Sequence, residues 1–154
     1  MISGEPRLGQ GPYFQALSVG QTFKTFPRLI TEADLVGFIN VTGMLEVLFI
    51  APEQAGGPIA GRLVPAALTY SLIEGFQMQT LLQGVGLALL EVSMKAEKPV
   101  RVGDVIEGVI EVIEIKPTSR NNRAVVTTEV KVQNQIGEVV LTYRVKRMLA
   151  GPPR

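Results

Sequence analysis

Glu46 is the carboxylate whose sequence neighbours best suit acid–base chemistry. Leu45 precedes it, and Val47, Leu48 and Phe49 follow. Apolar surroundings disfavour the charged form of a carboxylate and so strengthen it as a base. The chain contains no histidine and no cysteine. This excludes a Ser-His-Asp triad, a thiol nucleophile, disulfides and zinc sites built from those residues. We expect no metal site and no permanently bound cofactor.

Composition sets the broad class of protein. The 154 residues, 46% of them hydrophobic, suffice for one domain. We place this domain at 14–150, after a flexible Gly- and Pro-containing arm at 1–13. The 15 Lys and Arg residues nearly balance the 14 Asp and Glu residues, so no strong field attracts nucleic acid or a membrane surface. The N-terminus has no apolar leader segment, and no apolar run is long enough to span a bilayer. We therefore expect a cytoplasmic protein.

The first half of the chain predicts a strand and two helices. A strand ends near Ile30, and Thr31 suits the start of a helix that stops at Gly43. The Gly- and Pro-rich stretch PEQAGGPIAGRL is a loop. A second helix runs from about Pro65 to Leu82, with apolar residues around most of its circumference. Such a helix must be covered on most sides.

The second half predicts four strands that supply this cover, at 86–97, 104–116, 123–133 and 138–148. In the last of them, Val139, Leu141, Tyr143 and Val145 recur with a period of two. The turn-rich segments SRNNR and NQIGE between strands predict antiparallel hairpins. The expected fold class is α+β, with a sheet curled around one long helix.

This order of elements, with five local stretches between residues 17 and 146, resembles the hotdog fold of the MaoC-like acyl dehydratases. Those stretches begin at SVGQTF, TGMLEV, GRLVPA, KPVRVG and VKVQNQ. The family includes (R)-specific enoyl-CoA hydratases. The resemblance implies an acyl-CoA or related acyl thioester as ligand, with coenzyme A present only as part of the substrate.

The family's hydratase motif is Thr/Ser-Gly-Asp-x-Asn-Pro-Leu-His, in which the Asp and the His act together. On this chain its eight positions read Thr42, Gly43, Met44, Leu45, Glu46, Val47, Leu48 and Phe49. Met44 therefore stands at the catalytic Asp and Phe49 at the catalytic His. Neither side chain can move a proton, whereas hydration of an enoyl thioester needs both a base and an acid.

The resemblance places two other carboxylates, Glu46 and Glu74, near the pocket as candidate catalytic residues. The alternative for Glu46 is a solvated loop residue. The alternative for Glu74 is a residue that faces solvent or pairs with an arginine.

Around them, the resemblance implies a substrate pocket and a site for coenzyme A. The family's His-Gly-Met signature at the start of the long helix reads Pro65, Ala66 and Ala67 here. Backbone N–H groups near Ala66 could polarise a thioester carbonyl. The implied pocket residues are Asn40, Thr42, Met44, Phe49 and Pro65, although Thr42 could instead serve the local backbone. The candidates for contact with the phosphates of coenzyme A are Arg62, Lys95, Lys98 and Arg101, with Arg62 preferred.

Three functions remain open at this point. The first is an acyl-CoA-binding member of the dehydratase family that lacks the usual dyad. The second is a hotdog thioesterase in which Glu46 or Glu74 activates water. The third is a non-catalytic subunit paired with an active hotdog subunit. In each case we expect an oligomer, either a homodimer or a larger or mixed assembly, because one sheet covers only one side of an apolar helix.

Overall fold

The computed structural model describes residues 7–54, 56 and 60–153, and their elements follow the predicted order. A 3₁₀ turn at Phe14–Ala16 leads into two short strands, followed by three helices and four long strands. They are β1 (Thr22–Lys24), β2 (Arg28–Leu29), α1 (Glu32–Thr42), α2 (Val47–Ile50), α3 (Ala66–Gln79), β3 (Gly86–Ala96), β4 (Val105–Pro117), β5 (Arg123–Gln133) and β6 (Val139–Ala150). Helix α2 lies within a stretch for which no element is predicted.

Both ends of α1 lie where the sequence predicts them. The Thr31 hydroxyl accepts a hydrogen bond from the Asp34 N–H, and the Asp34 carboxylate accepts one from the Thr31 N–H, which forms a capping box. Gly43 ends the helix in the left-handed conformation, with φ of 73°. The predicted cap and stop are therefore confirmed.

The long strands and α3 also match the predicted elements closely. Strand β5 has the predicted bounds, and β3, β4 and β6 differ from theirs by one or two residues. Helix α3 begins after Pro65, which is the N-cap rather than a residue of the first turn. It ends at Gln79, three residues earlier than predicted, and residues 80–85 continue as turns.

Among the described residues the strands form one antiparallel sheet in the order β1-β4-β5-β6-β3, with β2 also paired to β4. The two hairpins predicted around SRNNR and NQIGE join β4 to β5 and β5 to β6. Strand β3 pairs with β6, not with its chain neighbour β4. It therefore occupies an end of the sheet.

The core lies between α3 and the concave face of the sheet. Leu68 and Ile73 of α3 pack there against buried apolar residues of β4, β5 and β6. Gly108 permits the close approach of the helix, because a Cβ atom at this position would lie 2.9 Å from Ile73 Cγ2. Apolar burial of this kind is the main source of the fold's stability.

The predicted arm at 1–13 lies partly outside the described residues. Residues 7–13 contain no helix or strand, and the Gly11 N–H donates a hydrogen bond to the Gln83 carbonyl over 2.8 Å. The flexibility of the arm and the bounds of the single domain stay predictions. None of the helices described here is long and apolar enough to cross a membrane.

Candidate functional site

A cavity of about 310 Å³ opens at the N-terminus of α3. Helix α2, the segment before α3, the loop after β3 and the start of β6 enclose it. Its lining is mainly apolar and consists of Leu48, Phe49, Leu63, Val64, Pro65, Ala66, Thr69, Ala96, Glu97, Lys98, Pro99, Val100, Val140 and Leu141. An apolar concave site with a few polar groups is the usual form of a small-molecule pocket.

Backbone pairing fixes the start of α3 at this cavity. The Val64 N–H donates to the Val100 carbonyl over 3.0 Å, and the Val102 N–H donates to the Arg62 carbonyl over 2.9 Å. The extended segment before Pro65 is thereby held against the loop that precedes β4. Pro65 then suits the N-cap, because its fixed φ turns the chain into the helix.

The first turn of α3 presents backbone donors that no side chain caps in the part of the chain that the structure describes. Pro65 has no polar side-chain atom and makes no side-chain capping bond. Its carbonyl accepts from the Leu68 and Thr69 N–H groups, at 2.9 and 3.4 Å. The N–H groups of Ala66 and Ala67, at the first two helical positions, have no acceptor within the helix. They carry the partial positive charge of the helix end, which favours a carbonyl oxygen or an anion.

Thr69 is a site residue that the sequence reasoning missed. Its side chain is 1% exposed and lines the cavity, yet its hydroxyl has no hydrogen-bond partner among the described residues. Ser71 of the same helix and Thr80, its C-cap residue, donate to the carbonyls four residues earlier, at 2.7 and 2.6 Å. A buried hydroxyl without a partner is costly, so this group calls for a ligand or a water. The sequence does contain a signal for Thr69 as a site residue, because it is a polar residue one turn after the predicted helix start, among apolar neighbours.

Some of the predicted pocket residues line the cavity and others do not. Phe49, Pro65 and Ala66 lie in its wall, and Phe49 is half-buried there. Asn40, Thr42 and Met44 lie outside it and are exposed. The Thr42 hydroxyl donates to the Phe38 carbonyl over 2.6 Å, which is the local backbone role considered above.

Glu46 is the N-cap of α2. Its carboxylate accepts a hydrogen bond from the Leu48 N–H over 2.8 Å, and the residue is exposed in the single chain. The carboxylate thus fixes the start of the short helix whose Leu48 and Phe49 form one wall of the cavity. Its catalytic role stays a prediction, and Glu46 does not itself line the cavity.

Glu74 lies in a buried polar network on the sheet side of α3. It forms an ion pair with Arg147 of β6, and it accepts hydrogen bonds from the Tyr143 hydroxyl and the Gln77 amide, both over 2.7 Å. Pairing with an arginine is one of the alternatives that the sequence leaves open. The pKa of Tyr143 is raised far above its ordinary value, mainly by burial and secondly by the nearby Glu74 charge, so the phenol stays protonated. Glu74 does not line the cavity, and its catalytic role stays a prediction.

The cationic residues named for coenzyme A differ in their environments. Arg62 does not line the cavity, and its guanidinium binds the Glu32 carboxylate, with the shortest contact at 2.7 Å. This hydrogen bond holds the pKa of Glu32 below its ordinary range and raises that of Arg62. Lys98 lines the cavity mouth, although its ammonium group is paired with Glu138.

Comparisons with known proteins agree with this geometry. The chain is 31% identical over 119 residues to a 3-hydroxybutyryl-CoA dehydratase of Methylorubrum extorquens, covering 77% of this chain and 74% of the relative. A solved MaoC-like dehydratase from Rhodospirillum rubrum has a TM-score of 0.81 and 22% identity, covering 94% of this chain and all of that one. A Mycobacterium tuberculosis protein described as a double hotdog fold has a TM-score of 0.79 and 21% identity, covering 96% of this chain and 46% of that one. No model of a known family matches the sequence.

The curled antiparallel sheet, its central helix and the cavity at the start of that helix define a hotdog-fold protein, which confirms the predicted fold class. Within that class, the chain belongs to the family of MaoC-like dehydratases and (R)-hydratases.

Proposed function

We propose that the protein binds the acyl end of a short-chain acyl-CoA thioester in the cavity at the start of α3. The observation that carries this proposal is that the uncapped start of α3 and the unpartnered Thr69 hydroxyl lie at the same apolar cavity. The relationship to a 3-hydroxybutyryl-CoA dehydratase supports the ligand class. In this arrangement the thioester carbonyl accepts hydrogen bonds from Ala66 and Ala67, and the acyl chain lies against the apolar wall.

Coenzyme A itself extends out of the cavity mouth in this proposal. Lys98 is the candidate for a phosphate contact, because it lines the mouth and its charge suits phosphate oxygens. Arg62 serves this purpose less well, since it does not line the cavity. We expect the affinity to weaken as the salt concentration rises, because exposed charge pairs are screened.

Isothermal titration with the ketone analogue of butyryl-CoA, in which a CH2 group replaces the thioester sulfur and the carbonyl is kept, tests the proposal. Thr69→Val removes the unpartnered hydroxyl with little change in shape, and we expect it to weaken binding about three- to tenfold. Ser71→Ala is the matched control, because it removes a hydroxyl of the same helix that bonds to the Ala67 carbonyl. No binding by the unmodified protein, or equal affinity in all three proteins, would refute the proposal.

We further propose that hydration of enoyl thioesters is slow. Among the described residues that line the cavity, the ionisable ones are Glu97 and Lys98, both exposed, and Met44 and Phe49 cannot move protons. Each positioned proton transfer contributes about 10²- to 10⁴-fold to a rate. We therefore expect the loss of crotonyl-CoA absorbance to stay near background. Turnover at an ordinary enzymatic rate would show that another group has taken over the acid–base role.

We also propose a dimer that forms through β3. All eleven residues of this end strand are exposed, and five of them are large and apolar: Leu87, Leu89, Leu90, Val92 and Met94. A long apolar edge strand is a site for pairing with another chain. The cavity borders this edge, because Ala96 ends β3 and also lines the cavity. The partner would then lie beside the site.

Sedimentation velocity tests the dimer. We expect a dimer at micromolar concentration for the unmodified protein and a monomer for Leu89→Lys, whose charge would be buried in the interface. Ile136→Lys is the matched control, because Ile136 is an exposed apolar residue of the turn between β5 and β6. A stable monomer of the unmodified protein would contradict the proposal.

A non-catalytic subunit is the second candidate function. It is favoured by the positions of Glu46 and Glu74, neither of which lines the cavity in the described chain. A thioesterase would instead release free thiol from butyryl-CoA. In that case Glu46→Gln should slow the release at least about tenfold without lowering the melting temperature, as loss of a base does, and Glu74→Gln should slow it less. Thiol release at background level, together with binding of the ketone analogue, would favour the subunit.

A further inference from the structure

We propose that the buried ion pair of Glu74 and Arg147 positions α3: it sets the rotation of this helix about its own axis and its place on the sheet. In doing so it places the Thr69 hydroxyl and the first N–H groups of α3 at the cavity. The inference rests on the proposed binding function, but it also makes a structural prediction that can be tested separately.

Both carboxylate oxygens of Glu74 have defined partners. One binds Arg147, and the other accepts from the Tyr143 hydroxyl and the Gln77 amide, each over 2.7 Å. The same Gln77 amide lies 3.0 Å from the Tyr143 hydroxyl. Glu74 is 7% exposed and Arg147 is 6% exposed, so water competes little for these bonds. Two residues of α3 are thereby tied to two residues of β6.

The remaining contacts of α3 with the sheet are less directional. Leu68 and Ile73 are buried by apolar packing, which depends on area and shape more than on orientation. Hydrogen bonds and an ion pair, in contrast, hold only over a narrow range of distance and angle. Thr69 lies five residues before Glu74, which is about 7.5 Å along the helix axis. A shift or rotation of this rigid helix at Glu74 therefore moves the Thr69 hydroxyl by a comparable amount.

Stability alone does not account for such a pair. Removing two charges from water is costly, and apolar residues of similar size often replace a buried ion pair without loss of stability. Breaking the pair by replacing one partner is harmful, because it leaves a buried charge uncompensated. A pair that adds little net stability, but has three further hydrogen bonds around it, is suited to fixing one orientation of the helix.

The test compares the unmodified protein with Glu74→Met/Arg147→Met. We expect the double variant to fold with a similar melting temperature but to bind the ketone analogue of butyryl-CoA about tenfold more weakly, because small misplacements of binding groups are costly. Amide hydrogen exchange at residues 66–72 should become faster. Glu129→Gln/Arg144→Gln is the matched control, since this ion pair between neighbouring strands has its arginine largely exposed.

Arg147→Lys is the second variant, and it is used if the double variant does not fold. It keeps the charge but loses the planar guanidinium, so we expect about threefold weaker binding and a smaller increase in exchange. Unchanged affinity and unchanged exchange in a folded variant would overturn the inference. If the unmodified protein does not bind the analogue, the proposed function fails, and the exchange measurement alone decides on the positioning role.

Discussion

Replacing Thr69 by valine should make the unliganded protein more stable and its ligand complex weaker. The Thr69 hydroxyl is buried and has no protein partner among the described residues. An unsatisfied buried polar group costs about 1–3 kcal/mol. Valine has the same branching and similar χ1 preferences, so the helix itself is little affected. Water in the cavity can form some hydrogen bonds with this hydroxyl, which lowers the cost of burying it. We therefore expect Thr69→Val to raise the free energy of unfolding by about 1 kcal/mol, the lower end of the range for an unsatisfied group.

For a protein of this size, 1 kcal/mol corresponds to a rise of about 2–4 °C in melting temperature. Calorimetry without ligand measures the rise, and titration with the ketone analogue of butyryl-CoA measures the accompanying loss of affinity. Ser71→Ala, which removes an already bonded hydroxyl, should show neither effect. A Thr69→Val protein that is less stable than the unmodified one would show that the hydroxyl has a protein partner after all, and the reasoning would fail.

Three further changes test other parts of the fold. Gly108→Ala should lower the free energy of unfolding by about 1–3 kcal/mol in urea titrations, because its Cβ would lie 2.9 Å from Ile73. Burial alone would raise the pKa of Asp34, but hydrogen bonds from Thr31 and the Arg28 charge lower this pKa overall. The Asp34 carboxylate therefore stabilises the fold above its unfolded pKa, and this stabilisation is lost as the pH falls through its folded pKa. Asp34→Asn should therefore flatten the loss of stability with acid below about pH 4, and an unchanged slope would contradict this. Glu46→Ala should weaken analogue binding with little global destabilisation, since it removes the cap of α2, and unchanged affinity would contradict a role for α2 in the cavity wall.

Much of the fold could be predicted because its signals are local. The capping residues Thr31 and Asp34 and the stop at Gly43 lie within one short segment, and each acts on its own helix end. The long strands follow from a period of two and from turn residues between them. The pairing of β3 with β6 could not be read in this way, because it joins segments about fifty residues apart and depends on how the whole sheet closes.

The candidate site was harder to predict, for two physical reasons. Helix α2 has only four residues, too few to show a periodic pattern, and it depends on one capping carboxylate, that of Glu46. The network around Glu74 depends on contacts across 73 positions in the chain. One signal was nevertheless present, since the period that points Tyr143 and Val145 inward also points Arg147 inward. A cation predicted to lie on the buried face calls for a buried anion, and Glu74 on α3 supplies it.

A binding site of this kind does not depend on the residues that stand at the family's acid and base. Its main polar groups are backbone N–H groups at the start of α3, and these are present whatever side chains the first turn carries. The position of that turn depends on Pro65, on the backbone pairing of Val64 with Val100 and on the packing of the helix over the sheet. The presence of Met44 and Phe49 at these two positions therefore leaves the backbone donors in place, and Phe49 adds apolar surface to the cavity wall. In the binding that we propose, the cavity holds the thioester through these donors, and this does not require a proton transfer from the residues at positions 44 and 49.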